Sequence, residues 1–227
     1  MGELEEKGSS PSLNNSNDSI TPIVANIATQ TVPSPLSSYL TDWREGWTMD
    51  EYLTACRRSN TKQYTCANIF AGAGLCQMGS ARAGFEPIWS AEVVDEKRTL
   101  LESMSHSRCY ADAFSAEVEN APSPNLLWVT APCIDFSLSG TLTGCCGDTG
   151  WMFGASAQLI LTISPDSFII EQSGNTPHVN EGRELWNLLE ELSSDYDIAA
   201  DVRKLWRWGD PSNRERLFIV GFHKRVK

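Results

Sequence analysis

The sequence predicts an α/β protein built on a Rossmann-like, doubly wound sheet. From Tyr64 onward, short apolar runs that end in polar or turn-forming residues alternate with stretches of helical periodicity. This alternation is typical of strands joined by right-handed helical crossovers. The chain has 227 residues, of which 41% are hydrophobic and 21% charged, so it is long enough for one core and too apolar for a wholly disordered protein.

The elements follow in order along the chain. Residues 1–38 are rich in Ser, Asn, Thr and Pro, which is typical of a disordered leader, and 39–60 place apolar residues at roughly helical spacing, which predicts a lead-in helix. The folded domain is expected over 61–227. Strands are predicted at 64–70, 87–92, 109–113, 126–131, 167–171 and 216–222, and helices at 74–84, 95–105, 151–163 and 182–194.

Charge is unevenly distributed along the chain. Eighteen basic and 29 acidic residues give a net charge of −11, which argues against a generic basic nucleic-acid-binding protein. The segment from Arg203 to Lys227 reverses the sign, because eight Lys or Arg face only Asp210 and Glu215 there. Contacts to phosphate are therefore expected from this tail or from a partner.

The chain shows no pattern of export or of metal binding. It has no run of the roughly 20 apolar residues that cross a bilayer, and its start lacks the basic and apolar blocks of a signal peptide. The expected location is intracellular, in the nucleus or cytoplasm. Seven cysteines without paired ligand spacing indicate reduced thiols and no metal site.

Two glycines, Gly72 and Gly74, follow the first predicted strand, where an open α/β sheet has its binding crevice. Gln77 stands where a dinucleotide fingerprint needs a third glycine, and the P-loop ending is absent. Glu92, 20 residues after Gly72, is placed to accept hydrogen bonds from ribose hydroxyls, and Asp112 is placed to reach an adenine amino group. The set suits S-adenosylmethionine, although a tight strand–helix turn with surface acids would look the same.

Four further residues carry candidate chemistry. Cys133 follows the fourth strand and Pro132, which places a thiol at the carboxyl edge of the sheet. Glu171 ends the fifth strand, and its apolar approach favours the protonated form. Arg214 and Arg216 stand two apart at the entrance of the last strand and point the same way. Taken singly, Cys133 could equally be a buried structural thiol, and Arg214 and Arg216 could equally belong to a solvated strand end.

In this order, the segments FAGAGL, Glu92, APC, Glu171 and RERLFIVGF resemble the cytosine-5 DNA methyltransferase family. The resemblance covers about residues 64–222. It implies the fold of the class I S-adenosylmethionine-dependent methyltransferases, mostly parallel with an antiparallel strand near the C-terminus. It also implies that duplex DNA is the partner and that the target cytosine is flipped out of the stack.

The same resemblance assigns roles to residues. Cys133 matches the nucleophile, Glu171 the acid at ring nitrogen 3, and Arg216 the group that holds the ring carbonyl, with Arg214 helping to position the base. The implied S-adenosylmethionine site comprises Phe70, Gly72, Gly74, Leu75, Glu92, Val93, Asp112 and Pro132.

The chain departs from the family pattern in places. Ile134 replaces the Gln after the nucleophile, Gln172 and Ser173 replace Asn and Val after the acid, and Ser212 stands where Gln is frequent. The family's target-recognition region and final motif do not follow Phe222, so a catalytic half is expected. It would be a fragment of a longer gene product, one subunit of a split enzyme with a second chain as partner, or a degenerate paralogue. The alternatives are an RNA-directed enzyme, a non-catalytic or split-subunit regulatory homologue, and a small-molecule methyltransferase.

Overall fold

A computed structural model describes residues 64–105 and 107–226, so the leader predicted at 1–38 and the lead-in helix predicted at 39–60 lie outside the described residues. Seven strands form one sheet there, in the order β3-β2-β1-β4-β5-β7-β6. β7 is antiparallel to both of its neighbours, and the other pairings are parallel. The strands are β1 (Tyr64–Ile69), β2 (Phe85–Ala91), β3 (Arg108–Tyr110), β4 (Leu126–Val129), β5 (Ser167–Ser173), β6 (Tyr196–Lys204) and β7 (Glu215–His223).

Five α-helices connect the strands within the described residues. They are α1 (Leu75–Arg82), α2 (Asp95–Ser105), α3 (Ala116–Glu119), α4 (Trp151–Ile163) and α5 (Arg183–Leu192). Short 3₁₀ segments cover Gly144–Cys146, Thr176–Gly182 and Leu205–Trp208. In the described part of the chain, none of the helices combines the length and the apolar character that a bilayer crossing requires.

The core is unequal on the two faces of the sheet. On one face, side chains from all seven strands join those of α4 and α5 in a single large cluster, which includes Leu127, Val129, Phe168, Ile170, Ile219, Phe153, Ile160, Leu188 and Leu192. The other face has a second cluster of only Ala71, Leu101 and Cys109, beneath α2. Among the described residues, most of the apolar burial therefore lies on one side of the sheet.

The predicted architecture is confirmed, but α3 was not predicted and several strand bounds differ. β6 was not predicted, although its sequence YDIAADVRK alternates: Tyr196, Ile198, Ala200 and Val202 lie on one side of the strand, and Asp197, Asp201 and Arg203 on the other. β3 ends at Tyr110 rather than at residue 113, so Asp112 lies in the following turn. β5 continues to Ser173, which places Glu171 inside the strand, paired with Phe218, instead of at its end.

Two glycines offer a direct test of this packing. A Cβ at Gly221 of β7 would lie 2.2 Å from the ring of Phe168, whereas a Cβ at Gly79 of α1 would meet no atom within 4 Å. We expect Gly221→Ala to lower the free energy of unfolding by about 1–3 kcal/mol. The matched change Gly79→Ala should leave it equal or raise it by up to about 1 kcal/mol, because alanine favours a helix interior. Chemical denaturation measures both, and a Gly221→Ala protein as stable as the wild type would contradict the packing.

Candidate active site

The loop between β1 and α1 turns sharply at the carboxyl edge of the sheet. Phe70, Gly72 and Gly74 all have positive φ angles, of 58°, 58° and 82°. This conformation is uncommon for a residue with a side chain such as Phe70, and such backbone strain is concentrated at functional sites. At Gly74 a side chain is excluded twice, because a Cβ there would also lie 2.6 Å from Leu101 Cδ2.

Glu92 ties this loop to the one that follows β2. The side chain is buried, and its two carboxylate oxygens accept hydrogen bonds from the backbone N–H groups of Gly72 at 2.7 Å and Val94 at 3.0 Å. Arg98, which the sequence did not single out, donates to the carbonyl oxygens of Glu92 at 3.0 Å and Val93 at 2.7 Å. Glu92, which is predicted to accept hydrogen bonds from ribose hydroxyls, therefore also holds the loops after β1 and β2 together.

The other predicted cofactor residues differ in exposure. Leu75 and Val93 are each 76% exposed. The carboxylate of Asp112 is exposed, and its Oδ1 accepts from the N–H of Phe114 at 2.9 Å. Phe70 is half-buried.

An aromatic cluster beside Phe70 was not predicted. The Phe114 ring lies 5.9 Å from that of Phe70 and 4.9 Å from that of Trp151, measured between ring centroids. These three rings come from the loops after β1 and β3 and from the first residue of α4. Widely spaced aromatic residues carry no local signal of a shared cluster, so only the fold reveals it.

The segment that carries Cys133 is bonded to the end of β1. Thr130 donates from its N–H to the Ile69 carbonyl at 3.3 Å and from its hydroxyl to the Phe70 carbonyl at 2.9 Å. The buried side chain of Gln172 donates to the carbonyl oxygens of Ala131 and Pro132 at 3.4 and 3.5 Å. Pro132 and Cys133 are both half-buried. The thiol is thus presented at the same edge as the glycine loop.

Glu171 and Arg216 form an ion pair across neighbouring strands. Arg216 Nε lies 2.6 Å from Glu171 Oε1, on β7 and β5 respectively. Burial raises the pKa of Glu171, and the positive charge of Arg214 acts against that rise. Contact with the Arg216 guanidinium also favours the ionised carboxylate. Arg214 itself is exposed and precedes β7, so both predicted arginines act on the predicted acid, one by contact and one at longer range.

A second thiol lies within electrostatic reach of this pair. Burial raises the pKa of Cys76 to about 11, and the negative charge of Glu171 adds to the rise. At neutral pH Cys76 is therefore a protonated thiol, a weak nucleophile compared with a thiolate.

Asp135, two residues after Cys133, organises the loop that the nucleophile begins. Its buried carboxylate accepts from the hydroxyls of Thr141 at 2.6 Å, Thr143 at 2.9 Å and Thr149 at 2.7 Å, and from the Thr149 N–H at 3.0 Å. These hydrogen bonds, led by the one from Thr141, hold the pKa of Asp135 far below its usual range. The sequence did not point to this residue, because its partners lie 6 to 14 positions away.

Glycines complete the packing of this loop. A Cβ at Gly147 would lie 2.1 Å from Asp135 Oδ1, and one at Gly140 would lie 1.7 Å from the Ile134 carbonyl oxygen. The segment after Cys133 is therefore folded tightly around one carboxylate.

The residues 64–227 match a family model described as C-5 cytosine-specific DNA methylase. The chain is 28% identical over 169 residues to the type II methyltransferase M.HpaII of Haemophilus parainfluenzae, covering 72% of this chain and 47% of that protein. It is 26% identical over 164 residues to M.NgoBI of Neisseria gonorrhoeae, covering 72% of this chain and 52% of that protein. The chain thus spans about half the length of the curated relatives it matches.

A solved structure shares the fold. A candidate DNA modification methyltransferase encoded within an Escherichia coli prophage superposes with a TM-score of 0.60 at 21% identity, covering 72% of this chain and 48% of that one. The Dnmt2 methyltransferase of S. pombe gives a TM-score of 0.53 at 10% identity, covering 71% and 50%.

The Asp135 loop generates a test of its own. We expect Asp135→Asn to lower the midpoint of thermal unfolding at pH 7, because it removes the charge that accepts the threonine hydroxyls. A carboxyl whose pKa is lowered by folding stabilises the protein above its ordinary pKa, 3.8 here, and loses that effect as the pH falls further. The difference between wild type and variant should therefore shrink below pH 3.8.

The matched control is Asp148→Asn, an exposed carboxylate in the same loop. It should leave the thermal midpoint near that of the wild type. Equal midpoints for Asp135→Asn and Asp148→Asn at pH 7 would show that the threonine hydroxyls do not depend on the Asp135 charge.

Proposed function

The chain belongs to the C-5 cytosine-specific DNA methylase family, and we propose that it carries the catalytic centre of a DNA (cytosine-5)-methyltransferase. The observation that carries this proposal is the convergence of two groups at one sheet edge. Cys133 follows β4, and the Glu171–Arg216 pair lies across β5 and β7. Gln172, the neighbour of Glu171, bonds to the two carbonyl groups that precede Cys133, which links both groups physically.

The residues of the crevice fit S-adenosylmethionine, which would supply an electrophilic methyl group. A carboxylate has about four acceptor positions, and Glu92 uses two of them on backbone N–H groups, so it retains capacity for ribose hydroxyls. Asp112 uses Oδ1 on Phe114, which leaves Oδ2 for an amino group. The apolar surface for the adenosine would come from Phe70, Leu75 and Val93, and the remaining contacts from Gly72, Gly74 and Pro132.

Cys133 would act as the nucleophile. Carbon 5 of cytosine is a weak nucleophile in the ground state, and addition of a thiolate to carbon 6 places electron density on it. Carbon 5 would then take the methyl group from the sulfonium of S-adenosylmethionine, which would leave as the neutral thioether S-adenosylhomocysteine. Loss of the carbon 5 proton to solvent breaks the carbon–sulfur bond and regenerates the thiolate. Cys76 is unsuited to this role, since its pKa of about 11 keeps it protonated.

Glu171 and Arg216 would polarise the base. A carboxyl whose pKa is raised by burial can donate a proton to ring nitrogen 3 as the thiolate adds, and can take it back when the cysteine leaves. Arg216 spends one N–H donor on Glu171, and a guanidinium has five, so others remain for the carbonyl oxygen of the base. Arg214 would position the base, and its positive charge would keep the pKa of Glu171 from rising further.

The proposed partner is duplex DNA with the target cytosine flipped out of the stack. The chain spans about half the length of its curated relatives. A second chain carrying a target-recognition region is proposed as a further partner.

A trapping experiment tests the nucleophile. A duplex with a mispaired 5-fluorocytosine lowers the cost of base flipping, and the fluorine blocks the final elimination, so the protein should remain attached to the DNA when S-adenosylmethionine is present. We expect the 227-residue chain and its Cys76→Ser form to give a covalent complex by denaturing electrophoresis and mass spectrometry. Cys133→Ser should give none.

Two outcomes would contradict the proposal. A covalent complex that survives Cys133→Ser would reassign the nucleophile. Binding of S-adenosylmethionine by calorimetry without any complex on DNA, even with a recognition-bearing chain added, would favour a non-catalytic homologue. An RNA of the same sequence in parallel would reveal an RNA-directed enzyme if it alone is trapped.

The electrostatics of Glu171 can be measured without turnover. We expect Arg214→Ala to raise the pKa of the Glu171 carboxyl above its wild-type value, because the Arg214 charge lowers that pKa. Arg214→Lys, which keeps the charge, should stay near the wild type. Carbon-13 NMR of glutamate-labelled protein would follow the titration, with Glu171→Gln to identify the signal. If the pKa of Glu171 is unchanged in Arg214→Ala, Arg214 does not act electrostatically on Glu171.

A further inference from the structure

The turn that joins β6 to β7 exposes two tryptophans. We call the 3₁₀ segment Leu205–Trp208 the tryptophan turn, and its Trp206 and Trp208 are 51% and 65% exposed. The Trp208 ring stacks on that of Phe218, with centroids 5.9 Å apart and an angle of 28° between the planes. The guanidinium of Arg207 lies over the Trp206 ring, 5.4 Å from its centroid. Exposed apolar surface rimmed by polar groups is typical of an interaction site.

Backbone hydrogen bonds fix the tryptophan turn. The Leu205 N–H donates to the Arg214 carbonyl at 2.8 Å, and the Asp210 N–H donates to the Leu205 carbonyl at 3.3 Å. Gly209 ends the turn with a positive φ of 90°, and its N–H donates to the Trp206 carbonyl at 3.3 Å. The two exposed indole rings are therefore carried by an ordered backbone, which lowers the entropy cost of binding a ligand.

The Trp208 ring lies close to the proposed proton donor. Phe218 of β7 pairs directly with Glu171 of β5, so their side chains lie on the same face with Cβ atoms about 5 Å apart. Arg216, two residues before Phe218, lies on that face as well and forms the ion pair with Glu171. Since Trp208 stacks on Phe218, its ring borders the place where the target cytosine is proposed to bind.

The charge around the tryptophan turn suits phosphate. Residues 203–216 contain five basic and two acidic residues, a net charge of +3 in a chain whose net charge is −11. Lys204 pairs with Glu215 at 3.4 Å, whereas Arg207 forms no ion pair with a carboxylate of the described residues. Aromatic rings interleaved with cations are typical of sites for unpaired nucleic acid. The centre of a protein–protein interface is depleted of charged residues, so a protein partner suits this surface less well.

We propose that the tryptophan turn binds an unstacked nucleotide next to the target cytosine, on the same DNA strand. Trp208 stacks on the base of that nucleotide, and Arg207 contacts its phosphate. Flipping a cytosine out of the duplex removes a stacking partner from each neighbouring base, and an aromatic ring can replace that partner whatever the base is. The inference rests on the proposed function, because the nucleotide is placed relative to a cytosine at Glu171.

Two DNA probes separate stacking from charge. One is a single strand with a central cytosine, and the other has abasic sites on both sides of that cytosine, so it keeps the phosphates and lacks the neighbouring bases. We expect the full chain to bind the intact strand about 5- to 100-fold more tightly. Trp208→Ala should lower that ratio at least fivefold, and Trp208→Tyr should keep most of it. Fluorescence anisotropy of labelled DNA, without S-adenosylmethionine, measures each affinity.

The matched control is Phe222→Ala. Phe222 is an exposed ring on the same face of β7, and it pairs with Ser167 at the other end of β5. This variant should keep the wild-type ratio of affinities, because Phe222 lies four residues beyond Phe218 and away from Glu171.

Three outcomes would overturn the proposal. The first is a wild-type chain that does not prefer the intact strand or binds neither probe. The second is a Trp208→Ala protein with the wild-type ratio, which would leave a protein surface as the partner of the ring. The third is a Trp208→Ala protein that binds both probes equally less tightly, which would give the ring a structural role only.

Failure of this inference is distinguishable from failure of the proposed catalysis. Cys133→Ser should give the wild-type ratio of affinities, because the measurement involves no covalent step. A normal ratio in a wild-type chain that forms no covalent complex with DNA would count against the catalytic proposal alone.

Salt dependence tests the phosphate contact separately. We expect Arg207→Gln to reduce the slope of log affinity against log salt concentration by about 0.7, the value for one phosphate of a single strand. The matched change Lys224→Gln should leave the slope unchanged, because the Lys224 ammonium donates to the Ser193 carbonyl at 2.7 Å, beyond the far end of β7. An unchanged slope in Arg207→Gln would overturn the assignment of Arg207 to phosphate.

Discussion

The placement of β1 beside β4 is the constraint on which the rest of the structure depends. The strand order reverses there, so successive crossovers run in opposite directions and leave a crevice between the loops that follow these two strands. Thr130 joins those loops by two hydrogen bonds to the end of β1. The same reversal sends α4 to the face opposite α1 and α2. One topological choice therefore creates the crevice and also concentrates the core on one side.

Three carboxylates at this edge perform different tasks because their surroundings differ. Glu92 is buried against backbone N–H groups and fixes two loops. Asp135 is surrounded by threonine hydroxyls, which favour its charged form and lower its pKa. Glu171 is partly buried beside Arg216, and the loss of solvent outweighs the charge of Arg214, so its pKa is raised. Sequence position alone would not separate a structural acid from a candidate proton donor, whereas the hydrogen-bond partners do.

Much of the fold was predictable because it rests on local patterns. The helices at 95–105 and 151–163 have the predicted bounds. The candidate site residues came from ordered motifs, and their roles remain predictions. The role of Asp135 and the cluster of Phe70, Phe114 and Trp151 were not predicted, because their contacts join residues that are not neighbours in the chain. β6 was missed even though Tyr196, Ile198, Ala200 and Val202 alternate with mostly charged residues, as in a strand with one buried side.

The composition of β6 has a consequence for assembly. It is one of the two edges of the sheet, and it exposes Asp197, Asp201, Arg203 and Lys204. The opposite edge, β3, is only three residues long and begins with Arg108. Short and charged edges discourage another strand from adding to a sheet, which is how soluble β-proteins avoid fibrillar association. Any complex that this domain forms should therefore be built through its loops and faces, and its sheet should not continue from one molecule into the next.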